Sequence, residues 1–214
     1  MKFDGVYEVG GSIATCNLTP GKRVYGERLV QQDGQELRLW NPRRSKLAAA
    51  ILNGLLDLPI KQDSHVLYLG AASGTTASHV SDIASGGMVY CIEFSKRSFR
   101  ELIENTKERK NMLPILADAR RPEEYLGLIE RCDVIYQDVA QANQAEILLE
   151  NARVYLKDGG RIIFVIKARS IDSARGPKDV IAAEIAKLKE VKITQVIDLG
   201  PYEKDHSIVA GIYK

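Results

Sequence analysis

Three carboxylates in this chain stand at or just past the end of a short apolar run. Glu93 follows Met88-Val89-Tyr90-Cys91-Ile92, Asp118 follows Leu113-Pro114-Ile115-Leu116 closely, and Asp138 does the same after Asp133-Val134-Ile135-Tyr136. A fourth run, His65-Val66-Leu67-Tyr68-Leu69, leads into Gly70-Ala71-Ala72-Ser73-Gly74-Thr75-Thr76. Glycine permits a tight turn there, small side chains let the backbone approach a ligand, and a helix starting at that point offers free N–H groups. Ligands of parallel sheets bind outside the carboxyl ends of the strands. Glu93, about 20 residues beyond the turn, is then placed to accept ribose hydroxyls, and Asp118 to reach an adenine amino group. Any one of these acids is as readily a helix cap or a loop residue. Three of them in register with a glycine turn point to a nucleoside site that includes Gly70 and Ala71.

The turn spacing is G-x-x-x-G, not the G-x-G-x-x-G that seats a pyrophosphate. A nicotinamide-dependent oxidoreductase is therefore the weaker alternative. S-adenosylmethionine carries no phosphate, and a looser turn suffices for it.

Three basic groups are candidates for chemistry. Lys167 follows Ile162-Ile163-Phe164-Val165-Ile166, and a lysine leaving a buried strand into a crevice can lose its proton and act as a base. Taken alone it reads as a snorkelling strand-end lysine. His206, in Lys204-Asp205-His206-Ser207, sits between the last two apolar runs; taken alone it reads as an exposed turn residue. Lys46 closes Pro42-Arg43-Arg44-Ser45-Lys46, where the plain alternative is a basic helix start. His65 and His79 read as structural. A ribose hydroxyl attacking an activated methyl donor needs alignment, a proton acceptor and a favourable field. A Lys–Asp–Lys–His group supplies these without a metal.

The elements that must hold these residues follow from periodicity. Apolar strands at 65–69, 88–92, 113–116, 133–136 and 161–166 alternate with helices at 75–84, 96–109, 122–129, 143–156 and 177–189, which predicts a parallel sheet covered on both faces. Strands at 192–199 and 207–213 have no helix between them and should pair antiparallel. Ser45 can cap a helix running to about Asp57. The expected fold class is α/β, a Rossmann-like class I methyltransferase domain over 41–214 with a seven-stranded sheet and its last strand antiparallel. Residues 1–40 read as a small N-terminal β domain of hairpins, with strand-like stretches at 6–9, 13–15, 23–25, 29–30 and 37–40. That unit is equally a packing extension of the main domain or a module for docking a partner.

Composition narrows the partners. The 214 residues hold 45% hydrophobic and 27% charged residues, enough for a full core. Net charge is +2, from 30 basic and 28 acidic residues, too little for an autonomous high-affinity nucleic-acid binder. An RNA substrate would need clustered basic residues or a partner that holds it. The three scattered cysteines, Cys16, Cys91 and Cys132, fit buried thiols in a reducing compartment rather than disulfides or zinc. No secretory leader is expected at Met1-Lys2-Phe3-Asp4, and no apolar run nears the roughly 20 residues of a membrane span.

Longer stretches resemble a known family. Tyr68 through Ile83 is similar to the signature of fibrillarins. Further matches lie at Trp40–Lys46, Tyr90–Ser95, Asp118–Arg120, Asp138–Gln141, Ile166–Asp172 and Pro201–His206. The resemblance spans essentially the whole chain. It implies a ribose 2′-O-methyltransferase with a catalytic tetrad at Lys46, Asp138, Lys167 and His206. It implies S-adenosylmethionine contacts at Thr75, Thr76, Glu93, Phe94, Asp118, Ala119, Asp138 and Gln141. It implies assembly with a Nop-domain scaffold protein, a kink-turn-binding protein and a box C/D guide RNA, acting on rRNA and tRNA. Lacking the glycine–arginine-rich segment of eukaryotic members, the chain resembles the archaeal, cytoplasmic form. Arg43, Arg44, Arg120, Arg169 and Arg175, with Arg121 and Lys178, are expected to gather along the crevice as RNA contacts. A non-catalytic scaffold of an RNA particle is the competing reading from another class.

Overall fold

The computed structural model describes residues 2–214. Two sheets form. The first has strands β1 (Val6–Val9), β2 (Ser12–Cys16), β3 (Leu29–Gln32) and β4 (Gln35–Trp40), all antiparallel in the order β1-β2-β4-β3. Residues 23–25 are not the strand that their composition suggests. The Glu27 carboxylate accepts the N–H groups of Val24 and Tyr25 at 2.8–3.1 Å, so a side chain takes the bonds a ladder would need.

Helix α1 (Lys46–Leu52) starts at Ser45, whose hydroxyl accepts the Ala48 N–H at 3.4 Å. It ends five residues before the expected Asp57, because Gly54 turns the chain into the left-handed region at φ +94°. The second sheet then builds from β5 (His65–Leu69), α2 (Thr75–Ile83), β6 (Met88–Glu93), α3 (Lys96–Thr106), β7 (Met112–Leu116), β8 (Cys132–Gln137), α4 (Gln144–Tyr155), β9 (Leu156–Lys167), α5 (Ala168–Ile171), α6 (Pro177–Lys187), β10 (Val191–Asp198) and β11 (His206–Tyr213). The helix expected over 122–129 is only a 3-10 turn, Pro122–Tyr125; Leu126 is extended and Gly127 left-handed at φ +79°.

The order in this sheet is β10-β11-β9-β8-β5-β6-β7. Only β11 opposes the rest, pairing antiparallel with both β9 and β10. Alternate residues of each strand serve opposite faces. Val66, Tyr68, Val134, Tyr136, Ile163 and Val165 face α1 and α2, and Leu67, Leu69, Ile135, Ile162, Phe164 and Ile166 face α4. The first core also takes in Val6, Ile13 and Trp40, so the small sheet packs on the large one through α2.

A buried charge network reinforces that junction. Arg38 pairs with Glu27 at 2.6 Å and with Asp82 at 2.7 Å, and Asp82 also holds Arg109 at 2.6 Å. His79, fully buried, stacks on Trp40 at 4.7 Å and meets Thr15 Oγ1 and Tyr25 Oη at 2.7 and 2.8 Å. His79 is thus structural, as its place inside a helix suggested.

Candidate active site

Six strand ends line one edge of the large sheet in the order β11, β9, β8, β5, β6, β7, and each carries a residue singled out from the sequence. With strands about 4.8 Å apart, this edge spans roughly 24 Å from His206 to Asp118. Asp138 stands in the middle.

On one side of Asp138 lies the basic cluster. Lys46, the first residue of α1, places Nζ 3.2 Å from Asp138 Oδ2. Lys167, the last residue of β9, places Nζ 2.8 Å from Asp138 Oδ1 and donates to the Asp138 carbonyl at 2.9 Å. One carboxylate thus holds both amines. His206 starts β11 directly opposite Lys167 in the antiparallel ladder. Burial, and next the nearby Lys46 amine, hold its imidazole below the usual 6.5. His206 is therefore the group of the four best suited to be neutral and accept a proton. Four residues 160 positions apart at their extremes converge on one patch.

On the other side lies a cleft of about 230 Å³. Gly70, Glu93, Phe94, Ala119, Asp138 and Gln141 line it, with Ala117, Ser95 and Ser98. Its floor is the glycine turn. Gly70 is left-handed at φ +83°, and a Cβ there would meet the Asp138 carbonyl at 2.9 Å, so only glycine fits. Glu93 accepts the N–H groups of Ala72 at 2.9 Å and Ser95 at 2.8 Å. That carboxylate occupies the turn where a pyrophosphate would have to bind, which argues against the nicotinamide alternative. Phe94, 60% exposed, offers a ring face at the rim. The Gln141 Oε1 atom is buried without a hydrogen-bond partner, an acceptor left free for a donor group of a ligand. A free acceptor, a buried carboxylate, an aromatic face and a glycine cradle fit the polar and adenine portions of S-adenosylmethionine. When bound, that molecule supplies a methyl group already activated on a sulfonium.

Other expected contacts stand apart from this cleft. Ala71 is buried in the core behind the turn. Thr76 is buried and donates its hydroxyl to Ser45 Oγ at 2.9 Å, which fastens α2 to the start of α1; Thr75 lies beside it, half-buried. Asp118 is gripped by Arg120, with contacts of 2.5–3.0 Å that hold its carboxyl below the usual range. Arg120 is thus committed at the far end of the edge, and Arg121 pairs with Glu124 at 3.0 Å. The basic residues do not form a single line. Arg43, over the Tyr202 ring at 6.0 Å, and Arg169, 3.2 Å from Asp205, flank the His206 side. Arg44 lies over Tyr25 at 6.0 Å, and Arg175 is exposed.

Two residues escaped the sequence reading. Gln144, fully buried, accepts the Lys167 N–H at 3.0 Å and donates to the Gln141 carbonyl at 2.9 Å, joining both halves of the site. Glu203 approaches His206 Nδ1 at 3.5 Å. Only the i, i+3 spacing of Glu203 and His206 hinted at the second.

Strand order, the lone antiparallel strand and a nucleoside cleft at the sheet edge define a class I S-adenosylmethionine-dependent methyltransferase. The chain belongs to the fibrillarin family, whose model matches residues 1–214. A Methanococcus maripaludis protein named fibrillarin-like rRNA/tRNA 2′-O-methyltransferase is 50% identical, covering 99% of this chain and 95% of its own. Aeropyrum pernix fibrillarin, solved with natively bound S-adenosyl-L-methionine, is 48% identical with a TM-score of 0.90, over 98% of this chain and 94% of that one. A fibrillarin solved in complex with Nop5p is 41% identical with a TM-score of 0.92, over 99% of each chain.

Proposed function

We propose that this chain transfers the methyl group of S-adenosylmethionine to ribose 2′-hydroxyls of rRNA and tRNA, within a particle whose box C/D guide RNA chooses the sites. The carrying observation is the position of Asp138, which lines the cofactor cleft and also holds both lysine amines. The donor and the acceptor hydroxyl then meet at one carboxylate.

Each residue has a task in this reading. Glu93 accepts the ribose hydroxyls of the cofactor, Phe94 packs its adenine, and Gln141 offers its free carbonyl oxygen. Asp118 reaches the adenine amino group once it shares its carboxylate with Arg120. The N–H groups of Thr75 and Thr76, at the α2 N-terminus, add a positive field beside the turn. Lys46 and Lys167 hold the acceptor ribose and stabilise the developing alkoxide, while Asp138 fixes both amines. His206 takes the hydroxyl proton. Arg43 and Arg169 contact the RNA backbone beside His206, and Arg44 and Arg175 extend that contact over the neighbouring surface.

A Nop-domain protein is the expected scaffold, since a family member assembles with Nop5p. The kink-turn-binding protein and the guide RNA extend the proposal. A net charge of +2 supports it, because base pairing with a guide then supplies the selectivity that the protein's own charge does not.

The test is transfer of labelled methyl in a reconstituted particle, to a matched RNA and to the same RNA with a 2′-deoxyribose at the target. Transfer only to the first is expected; transfer to the second would sink the reading. Donor binding without any transfer in the complete particle would favour the inert scaffold instead.

A further inference from the structure

His206 presents one ring nitrogen, Nδ1, to a buried spot where no group hydrogen-bonds it. The Glu203 carboxylate stands beside it, with Oε2 3.5 Å away. The loop carrying Glu203 is fastened at both ends. Leu199 N–H donates to the His206 carbonyl at 3.1 Å, and Ala168 N–H to the Asp205 carbonyl at 3.2 Å. Within it Glu203 N–H returns to the Leu199 carbonyl at 3.0 Å, and Arg169 holds Asp205 at 3.2 Å. The loop thus brings the Glu203 carboxylate back over the histidine that follows it.

We propose that Glu203 is a positioning residue: it fixes the Nδ1–H tautomer of His206, so that the Nε2 lone pair faces the ribose hydroxyl. This rests on the methyl-transfer reading. In the reaction the 2′-hydroxyl O–H bond breaks and its proton passes to Nε2. The oxygen forms the new O–CH3 bond, and the C–S bond breaks with its electron pair going to sulfur. The imidazolium left on His206 returns its proton to water. The carboxylate stabilises that imidazolium, as an acid behind a catalytic histidine does elsewhere.

The charges around the ring are few and opposed. Lys46 from α1 and Lys167 from β9 disfavour the imidazolium, and Glu203 from the loop and Asp138 from the end of β8 favour it. Removing the Glu203 charge should therefore lower the imidazole pKa. Loss of the acceptor as well should free the tautomer.

The experiment uses Glu203→Ala and Glu203→Gln in the full chain, each checked for an unchanged fold by thermal unfolding. Nitrogen-15 shifts of the His206 ring across pH report tautomer and pKa without any turnover. Methyl transfer in the reconstituted particle is measured alongside. Wild type should show Nδ1–H. Glu203→Ala should mix the tautomers, lower the pKa, and cut kcat by roughly tenfold to a hundredfold with KM for RNA unchanged. Glu203→Gln, which keeps an acceptor oxygen, should restore the tautomer and much of kcat while its pKa stays low. The same tautomer and pKa in Glu203→Ala as in wild type would overturn the assignment. Absence of transfer by every protein, wild type included, would instead fault the methyl-transfer reading, and the ring titration would still decide the role of Glu203.

Discussion

Asp138 accepts both lysine amines, at 3.2 and 2.8 Å, and also borders the cofactor cleft. Neither of its two lysines lines that cleft, so their loss should spare the donor. Lys167→Ala should lower kcat at least a hundredfold, while calorimetry shows S-adenosylmethionine binding within about twofold of wild type. A comparable loss of donor affinity would place Lys167 in the cofactor pocket instead. The pH dependence follows from His206. Its pKa is held below 6.5 by burial and by Lys46, so the neutral, proton-accepting form persists below that value. Transfer should hold through pH 6.5 and fall as the pH drops through the depressed pKa. An acid limb of log kcat centred above 6.5 would contradict this assignment, and His206→Ala should abolish the limb.

Between residues and sheet stand the short segments that aim them. Gly70 is the tightest of these. Gly70→Ala imposes a left-handed alanine, about 1–2 kcal/mol, and pushes a methyl group into the Asp138 carbonyl. Donor affinity and kcat should both fall, a pairing not expected of Lys167→Ala; a calorimetric Kd equal to wild type would refute the cradle. Such strand-end devices were legible in the sequence because their signals are local: an apolar run, then a glycine or an acid. The parallel sheet followed from the strand–helix alternation, and its antiparallel last strand from the missing helix between the final two runs. Less was legible where a side chain or a left-handed glycine overrules the pattern, as Glu27 does at residues 23–25 and Gly127 after Tyr125. Convergence was legible only through family likeness. Lys46 and Asp138 lie 92 residues apart, and no spacing rule joins them. Glu203 and Gln144 act through a folded loop and a buried amide, neither of which periodicity reveals.

Across the whole molecule, the small sheet and the methyltransferase sheet share one core and one buried ion network. Arg38 is fully buried, with Glu27 on one side and Asp82 on the other. Arg38→Met leaves both acids unbalanced apart from the Arg109 contact to Asp82, at a cost of about 3–5 kcal/mol. Urea unfolding should show that loss as a lower midpoint in a single transition. Two separated transitions, the small sheet melting first, would mean that the sheets are energetically independent. The network also bears on the site, since Asp82 and His79 lie on α2, which follows directly on the glycine turn.

The sheet edge keeps donor and acceptor on opposite sides of Asp138, and that separation makes the enzyme open to re-engineering. Ala117 and Ala119 line the donor cleft, several strands away from the basic cluster. A cofactor analogue bearing a larger transferable group or a modified adenine can be matched by reshaping that wall alone. Lys46, Lys167, His206 and the RNA path would stay as they are, so a chemical label could be written at guide-selected riboses without redesigning how they are chosen.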